Sequence, residues 1–249
     1  MPGYATKQER IAIAGAADLT IRSLLDRQQF SDPFGEADRR GISSATWPLF
    51  GLLWPSGLHL ATRMAAHPVR AGERILEIGC GLALASLVGH RLGADVTASD
   101  CHPLAAGFLR SNLRLNGLAP MQFRYGDWTA RPTRRLQSRT LGGRIVHGRF
   151  DLVIGSDVLY ERDEHAKLAG FIGRHTLPVA QVWIVDPDRG NRPAFNRQMA
   201  ALGFSRHEER LSAAAGPVEA AYKGRMLTYT RGGGAKQGAC RGRFCPAVP

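Results

Sequence analysis

The run ILEIGCG, residues 75–81, sets the acid Glu77 two positions ahead of a Gly79-Cys80-Gly81 turn. Glycines at such a turn permit positive φ and let a ligand press on bare backbone, while a helix start beyond them offers free N–H groups. Asp100 lies about twenty residues on, where an acid in doubly wound folds hydrogen-bonds the hydroxyls of a ribose. The same position also suits capping of a helix begun by Pro103. Gly126-Asp127-Trp128 forms a third element: the acid suits an adenine amino group, and the indole suits a ring face. FDLVIGSDVLY, residues 150–160, is a fourth, grouping Ser156, Asp157 and Tyr160 at the exit of an apolar strand.

The cofactor follows from what these positions carry. A dinucleotide loop reads GxGxxG, with the third glycine letting helix and strand pack closely. Here the third site is Leu84, and Glu77 would sit badly beside a pyrophosphate. An acid before the glycines suits a cationic ligand, such as the sulfonium and ammonium of S-adenosylmethionine. The sequence therefore favours S-adenosylmethionine over a nicotinamide dinucleotide.

The elements that must position these residues alternate strand and helix, the pattern of a parallel sheet covered by helices. Strands are expected over 74–78, 95–99, 121–125, 150–154 and 179–185. Helices are expected over 82–92, 103–116, 161–175 and 191–202, and upstream from Pro55 to about residue 66. Residues 204–211 and 221–230 have no convincing helix between them and read as an antiparallel pair closing the sheet. The expected fold is α/β: a Rossmann-like three-layer sandwich with a seven-stranded, mostly parallel sheet and an antiparallel terminal pair. Residues 6–30 carry Ile11, Ile13, Leu19, Ile21, Leu24 and Leu25 with charges between them, a helix-compatible pattern that Ser31-Asp32-Pro33 ends. The organisation read from this is an N-terminal helical extension over 1–46, one domain over 47–230, and a Gly/Arg-rich tail over 231–249 that reads as disordered.

With 44% hydrophobic and 8% aromatic residues, the chain of 249 residues is too apolar to be disordered throughout and has ample core for one domain. No stretch approaches the ~18 uncharged apolar residues of a membrane span, and MPGYATKQER does not read as a signal peptide. A cytoplasmic protein with no membrane partner is the expectation. Cys80, Cys101, Cys240 and Cys245 form no CxxC pair and are read as reduced thiols, so neither a structural zinc nor another bound metal is expected. The net charge of +12 is almost all arginine. Arg131, Arg134, Arg135, Arg139, Arg144 and Arg149 fall between Asp127 and Asp151 without one acid. That run leaves an acidic partner open, protein or nucleic acid.

Taken together these residues resemble the class I methyltransferases, and within them the seven-β-strand lysine methyltransferases of methyltransferase family 16. That family pairs a LELGxG-type loop with an acid after the second strand, a Trp after the third and a (D/E)xx(Y/F) motif after the fourth. The matching residues are LEIGCG, Asp100, Trp128 and Asp157–Tyr160. Trp54 of LLWPSG resembles an upstream cofactor-contacting Trp of the family, and VDPDRGNR, residues 185–192, resembles the segment after the fifth strand in one of its members. The resemblance covers roughly residues 47–230. It implies S-adenosylmethionine held by Trp54, Glu77, Gly79, Cys80, Gly81, Asp100, Asp127, Trp128 and Ser156, with Asp157 and Tyr160 at the acceptor. Two positions depart from it: Leu82 stands where a small or hydroxyl residue is usual, and Ala83 where glycine is common.

A lysine acceptor sets a chemical requirement. Its pKa of ~10.4 makes deprotonation at pH 7 cost about 4.6 kcal/mol, and a lone carboxylate beside it favours the charged ammonium. Asp157 is therefore read as binding and orienting the amine and Tyr160 as shaping its channel, with desolvation and the cofactor cation favouring proton loss. Base-amine methyltransferases commonly carry N/D-P-P-Y/F after the fourth strand, and SDVLY lacks those prolines, so nucleic acid is not favoured as the substrate. A small-molecule or RNA N-methyltransferase and a non-catalytic S-adenosylmethionine-binding module stand as alternatives to a protein-lysine methyltransferase.

Overall fold

A computed structural model describes residues 3–128, 145–160, 162–163, 165–213 and 221–232. Its elements in chain order are β1 (Thr6–Ile11), β2 (Leu19–Leu24), α1 (Pro55–Ala65), β3 (Arg74–Ile78), α2 (Leu84–Arg91), β4 (Asp95–Asp100), α3 (Ala105–Leu115), β5 (Gln122–Tyr125), β6 (Phe150–Ser156), α4 (Lys167–His175), β7 (Thr176–Asp186), α5 (Arg192–Ala201), β8 (Ser205–Ala213) and β9 (Tyr222–Arg231). The seven-stranded sheet runs β5-β4-β3-β6-β7-β9-β8. Its first four contacts are parallel, and β9 runs antiparallel to both β7 and β8. This is the expected α/β architecture, with β9 inserted between β7 and the edge strand β8.

The chain order explains where a site must form. From β3 the chain moves outward through β4 and β5, then returns to place β6 on the other side of β3. Ligands bind in the crevice beyond the carboxyl ends of the strands at such a switch point. Here those ends are Gly79 after β3 and Ser156 of β6. The two strands are nearly continuous apolar runs because helices cover both faces. Ile75, Leu152 and Ile154 join the core shared with α1–α3, whereas Leu76, Ile78 and Val153 join the core under α4 and α5.

The N-terminal segment is a β-hairpin rather than the expected helix. Along β2, Leu19, Ile21 and Ser23 are buried while Thr20 and Arg22 are less so, the period-2 alternation of a strand with one face packed. Gly15, at φ 81°, lies in the connection. The hairpin packs into the main fold. Leu19, Ile21 and Leu24 belong to the central core cluster, and α3 closes the free edge of β2 with side-chain amides. Asn116 Oδ1 accepts from Thr20 N at 2.9 Å while its Nδ2 donates to Thr20 O at 2.8 Å, and Asn112 Oδ1 accepts from Arg22 N at 2.8 Å. Two asparagines thus stand in for a third strand.

α4 starts at Lys167, six residues after the expected start at 161. Ala166 adopts φ 52°, and both carboxyl oxygens of Asp163 accept backbone amides, those of Lys167 and Leu168, at 2.8 Å. Among the described residues no helix is long and apolar enough to cross a membrane. The tail beyond Gly232, with Cys240 and Cys245, and five of the six arginines between Asp127 and Asp151 lie outside the described residues; Cys80 and Cys101 are free thiols.

Candidate functional site

One open cleft of about 1080 Å³ lies over the switch point. All eleven residues expected from the sequence line it: Trp54, Glu77, Gly79, Cys80, Gly81, Asp100, Asp127, Trp128, Ser156, Asp157 and Tyr160.

At the β3 end the glycines are required by geometry. Gly79 has φ 56° and Gly81 has φ 50°, the left-handed region that penalises side chains. A Cβ on Gly81 would meet the Phe50 carbonyl oxygen at 2.8 Å, and one on Gly79 would meet Val158 Cγ1 at 3.0 Å and the Trp128 ring at 3.4 Å. Ala83, where glycine is common in the family it resembles, is also left-handed at φ 61°, which accounts for that preference.

The acids around this turn hold its backbone. Asp100 Oδ2 accepts from Gly81 N, and Oδ1 from His102 N, both at 2.8 Å. Asp100 thus anchors the glycine turn and the start of the β4–α3 connection while lining the cleft, and it does not cap α3, which begins at Ala105 with no side-chain cap. Burial pushes its carboxyl above the usual range, against the opposing pull of those amides. Glu77 is buried with Oε2 accepting both the backbone amide and the hydroxyl of Ser86, and burial raises it to about 7. Its first task is thus to tether the opening turn of α2 to β3, a role the sequence did not disclose.

Trp128 fills the wall beside Gly79, and Trp54 donates Nε1–H to Leu49 O at 2.9 Å with the Arg27 guanidinium 5.0 Å above its ring. His102, missed in the sequence, stacks on Phe50 at 3.7 Å. Its Nδ1 accepts from Leu104 N, which puts the proton on Nε2. Burial depresses its pKa to about 3, so the ring is neutral.

At the β6 end, Asp157 adopts φ 57°, a strained conformation for a residue other than glycine. Its amide donates to Val185 O at 3.0 Å. Burial raises its carboxyl above the usual range, offset by the Ser56 hydroxyl and the Arg189 guanidinium. Nη2 of Arg189 is 3.2 Å from Asp157 Oδ1. The amides that open α4 are taken by Asp163, not by Asp157. Tyr160 is 47% exposed at the mouth. Asn191, also missed, donates from Nδ2 to Leu159 O at 2.9 Å and so fixes the segment between them. Arg189 and Asn191 belong to VDPDRGNR after β7; because β7 is the parallel neighbour of β6, that segment's place on the same rim was the available signal.

Five polar atoms on cleft-lining residues are buried without a hydrogen-bond partner among the described residues: Arg40 Nε, His102 Nε2, Trp128 Nε1, Asp157 Oδ2 and Gln198 Oε1. Buried polar groups are normally satisfied. A ligand with donors and acceptors at both ends of the cleft suits this lining.

No family model matches the chain. It is 37% identical over 76 residues to the electron transfer flavoprotein beta subunit lysine methyltransferase of Danio rerio, 30% of each chain. It is 24% identical over 163 residues to the ribosomal protein L11 methyltransferase of Thermus thermophilus, 64% of this chain and 58% of that one. The chain spans between 30% and 58% of the length of these and the next most similar curated relatives. Among solved structures, magnesium protoporphyrin IX methyltransferase from Synechocystis PCC 6803 with bound S-adenosylmethionine matches with a TM-score of 0.53 at 17% identity, over 71% of this chain and 78% of that one. The fold is therefore the Rossmann-like fold found in such methyltransferases.

Proposed function

We propose that this relative of the electron transfer flavoprotein beta subunit lysine methyltransferases is an S-adenosylmethionine-dependent methyltransferase whose acceptor is a lysine side chain of a protein. The observation that carries the reading is the shared cleft: the glycine turn locked by Asp100 and the strained Asp157 beside Tyr160 line one continuous space at the switch point. The relatives named for a lysine and for a ribosomal protein support a protein acceptor.

The residues fit the cofactor. Gly79 and Gly81 leave bare backbone, and Trp128 and His102 hold unsatisfied buried donors. In this reading Asp100 binds the ribose hydroxyls with the lone pairs that the Gly81 and His102 amides leave, Asp127 takes the adenine amino group, and Trp54, Cys80 and Ser156 complete the wall. Glu77 acts chiefly by holding α2 in place, with its burial between β3 and Ser86 keeping a carboxyl behind the turn. When bound, the cofactor supplies an electrophilic methyl on a sulfonium, which an amine takes by in-line displacement.

The protein's part is to orient and desolvate. Asp157 Oδ2 is the acceptor for an amine N–H, and its strained backbone fixes the direction from which the amine approaches. Tyr160, at the mouth, shapes the channel through which a long side chain reaches it. The test is transfer of labelled methyl from S-adenosylmethionine into an extract, with hydrolysis of the product. Label recovered as methyl-lysine is expected from the native chain and not from Asp157→Ala, which keeps cofactor binding. Label lost on RNase treatment, or equal transfer by the variant, overturns the reading.

A further inference from the structure

Asp157 is the acid that the proposed acceptor amine meets, and it already has a cationic partner. Arg189 Nη2 stands 3.2 Å from Asp157 Oδ1, and the two side chains are 36% and 13% exposed. Both line the cleft, so the guanidinium, the more accessible of the pair, occupies ground that an incoming ammonium would need. The position is built rather than incidental. Arg189 N donates to Asp186 Oδ2 at 3.1 Å, which holds the turn after β7 against the end of its own strand. Asp157 is held across from it by the bond to Val185 O and by Asn191 on Leu159 O.

The groups facing Asp157 come from three other elements: Ser56 of α1, Asp186 and Arg189 at and after β7, and Tyr222 of β9. Tyr222 is itself engaged with Ser56, hydroxyl to hydroxyl, at 2.9 Å. Arg189 is thus the cation in direct contact with the carboxylate. An ammonium arriving at Asp157 competes with Arg189 for the carboxylate and is repelled by it at short range. A neutral amine suffers neither effect and still meets in Oδ2 a buried acceptor with no hydrogen-bond partner among the described residues.

We propose that Arg189 is a charge gate: by holding Asp157 Oδ1 it makes the acceptor site bind amines poorly in their protonated form and admit them in the neutral form. The proposal rests on the acceptor reading given above. It resolves the difficulty that a lone carboxylate stabilises the form of lysine that cannot react. It also gives the charged methylated product a reason to leave. Arg189 is a positioning residue here, acting through Asp157.

The test is binding of n-butylammonium, a lysine side-chain mimic, to the full chain loaded with S-adenosylhomocysteine at pH 7, followed by NMR. Arg189→Gln is expected to bind it about tenfold tighter than the native chain, the order of one close charge interaction screened by water. Arg189→Lys, which keeps the cation, is expected to resemble the native chain. Asp157→Asn in the Arg189→Gln background is expected to abolish the gain, and n-butanol is expected to bind all forms alike. Equal or weaker n-butylammonium binding by Arg189→Gln, with S-adenosylhomocysteine still bound, overturns the gate alone. Failure of the native chain to bind S-adenosylhomocysteine overturns the cofactor reading, and the gate falls with it.

Discussion

The Asp100 carboxylate accepts the Gly81 amide at 2.8 Å, which makes the acid ending β4 and the glycine turn after β3 a single device. Its other oxygen holds the His102 amide at the same distance. Asp100→Ala therefore strips acceptors from two backbone amides, each costing about 1–3 kcal/mol when left unpaired. The expected result by calorimetry is a loss of S-adenosylmethionine affinity of at least about tenfold, accompanied by a lower melting temperature. An Asp100→Ala protein that binds the cofactor as the native one does would refute this site.

The two glycines flanking Cys80 should differ in their tolerance of a methyl group. Gly81→Ala places a Cβ in the left-handed region, costing about 1–2 kcal/mol, and drives it against a backbone oxygen of Phe50 at 2.8 Å. Gly79→Ala carries the same backbone cost, but its nearest neighbour is a side-chain methyl of Val158 at 3.0 Å. Gly81→Ala is expected to melt below Gly79→Ala and to bind cofactor more weakly. The reverse order in a thermal melt would show that Phe50 moves freely.

Glu77 gives a pH signature. The unfolded carboxyl releases its proton near pH 4.5, whereas burial holds the folded one to about 7. Between those values the folded state binds more protons, so this contribution is fully present below pH 4.5 and is lost as pH rises through 7. Asp186, raised to about 6 by burial, acts in the same sense. His102 acts oppositely: it is neutral down to about 3 when folded, so its contribution is present above 6.5 and lost as pH falls. Glu77→Gln isolates one of these, keeping an acceptor for Ser86 while removing the titration. From pH 5.5 to 8 the native chain is expected to lose about 4–8 °C more in Tm than the variant, corresponding to about 2 kcal/mol. Parallel melting curves across that range would place the titration elsewhere.

The site was largely legible in the sequence because its residues sit at strand ends. An apolar strand running into Gly79-Cys80-Gly81, and acids spaced one βα unit apart, fix both the fold and the rim on which the side chains must gather. What was hidden has physical causes. Glu77 reads as a ligand group, yet its partner Ser86 is brought near only by the turn of α2. The Arg189–Asp157 pair joins the ends of two strands adjacent in space but separated in sequence by a whole helix. The start of α4 is hidden because Asp163, which takes its first amides, lies inside a stretch that otherwise favours helix. The hairpin is hidden because Ile11, Ile13, Leu19, Ile21, Leu24 and Leu25 satisfy helical spacing loosely, while the deciding interactions come from Asn112 and Asn116, about ninety residues away.

Those asparagines supply the last test. Asn116 binds both the amide and the carbonyl of Thr20 and also accepts from Arg91 Nη2 at 3.2 Å. Asn112 does the same for Arg22 through a shorter and a longer bond, 2.8 and 3.4 Å. A two-stranded hairpin is marginal by itself in water, so its edge depends on these amides as well as on Leu19, Ile21 and Leu24 in the core. Asn116→Ala is expected to destabilise the chain by about 2 kcal/mol and to speed hydrogen exchange over β2 by about tenfold or more. The amides of β3, in the centre of the large sheet, should keep their protection. Equal acceleration in both strands would mean that the hairpin and the sheet open as one unit; no change in β2 would mean that its core side chains alone hold it.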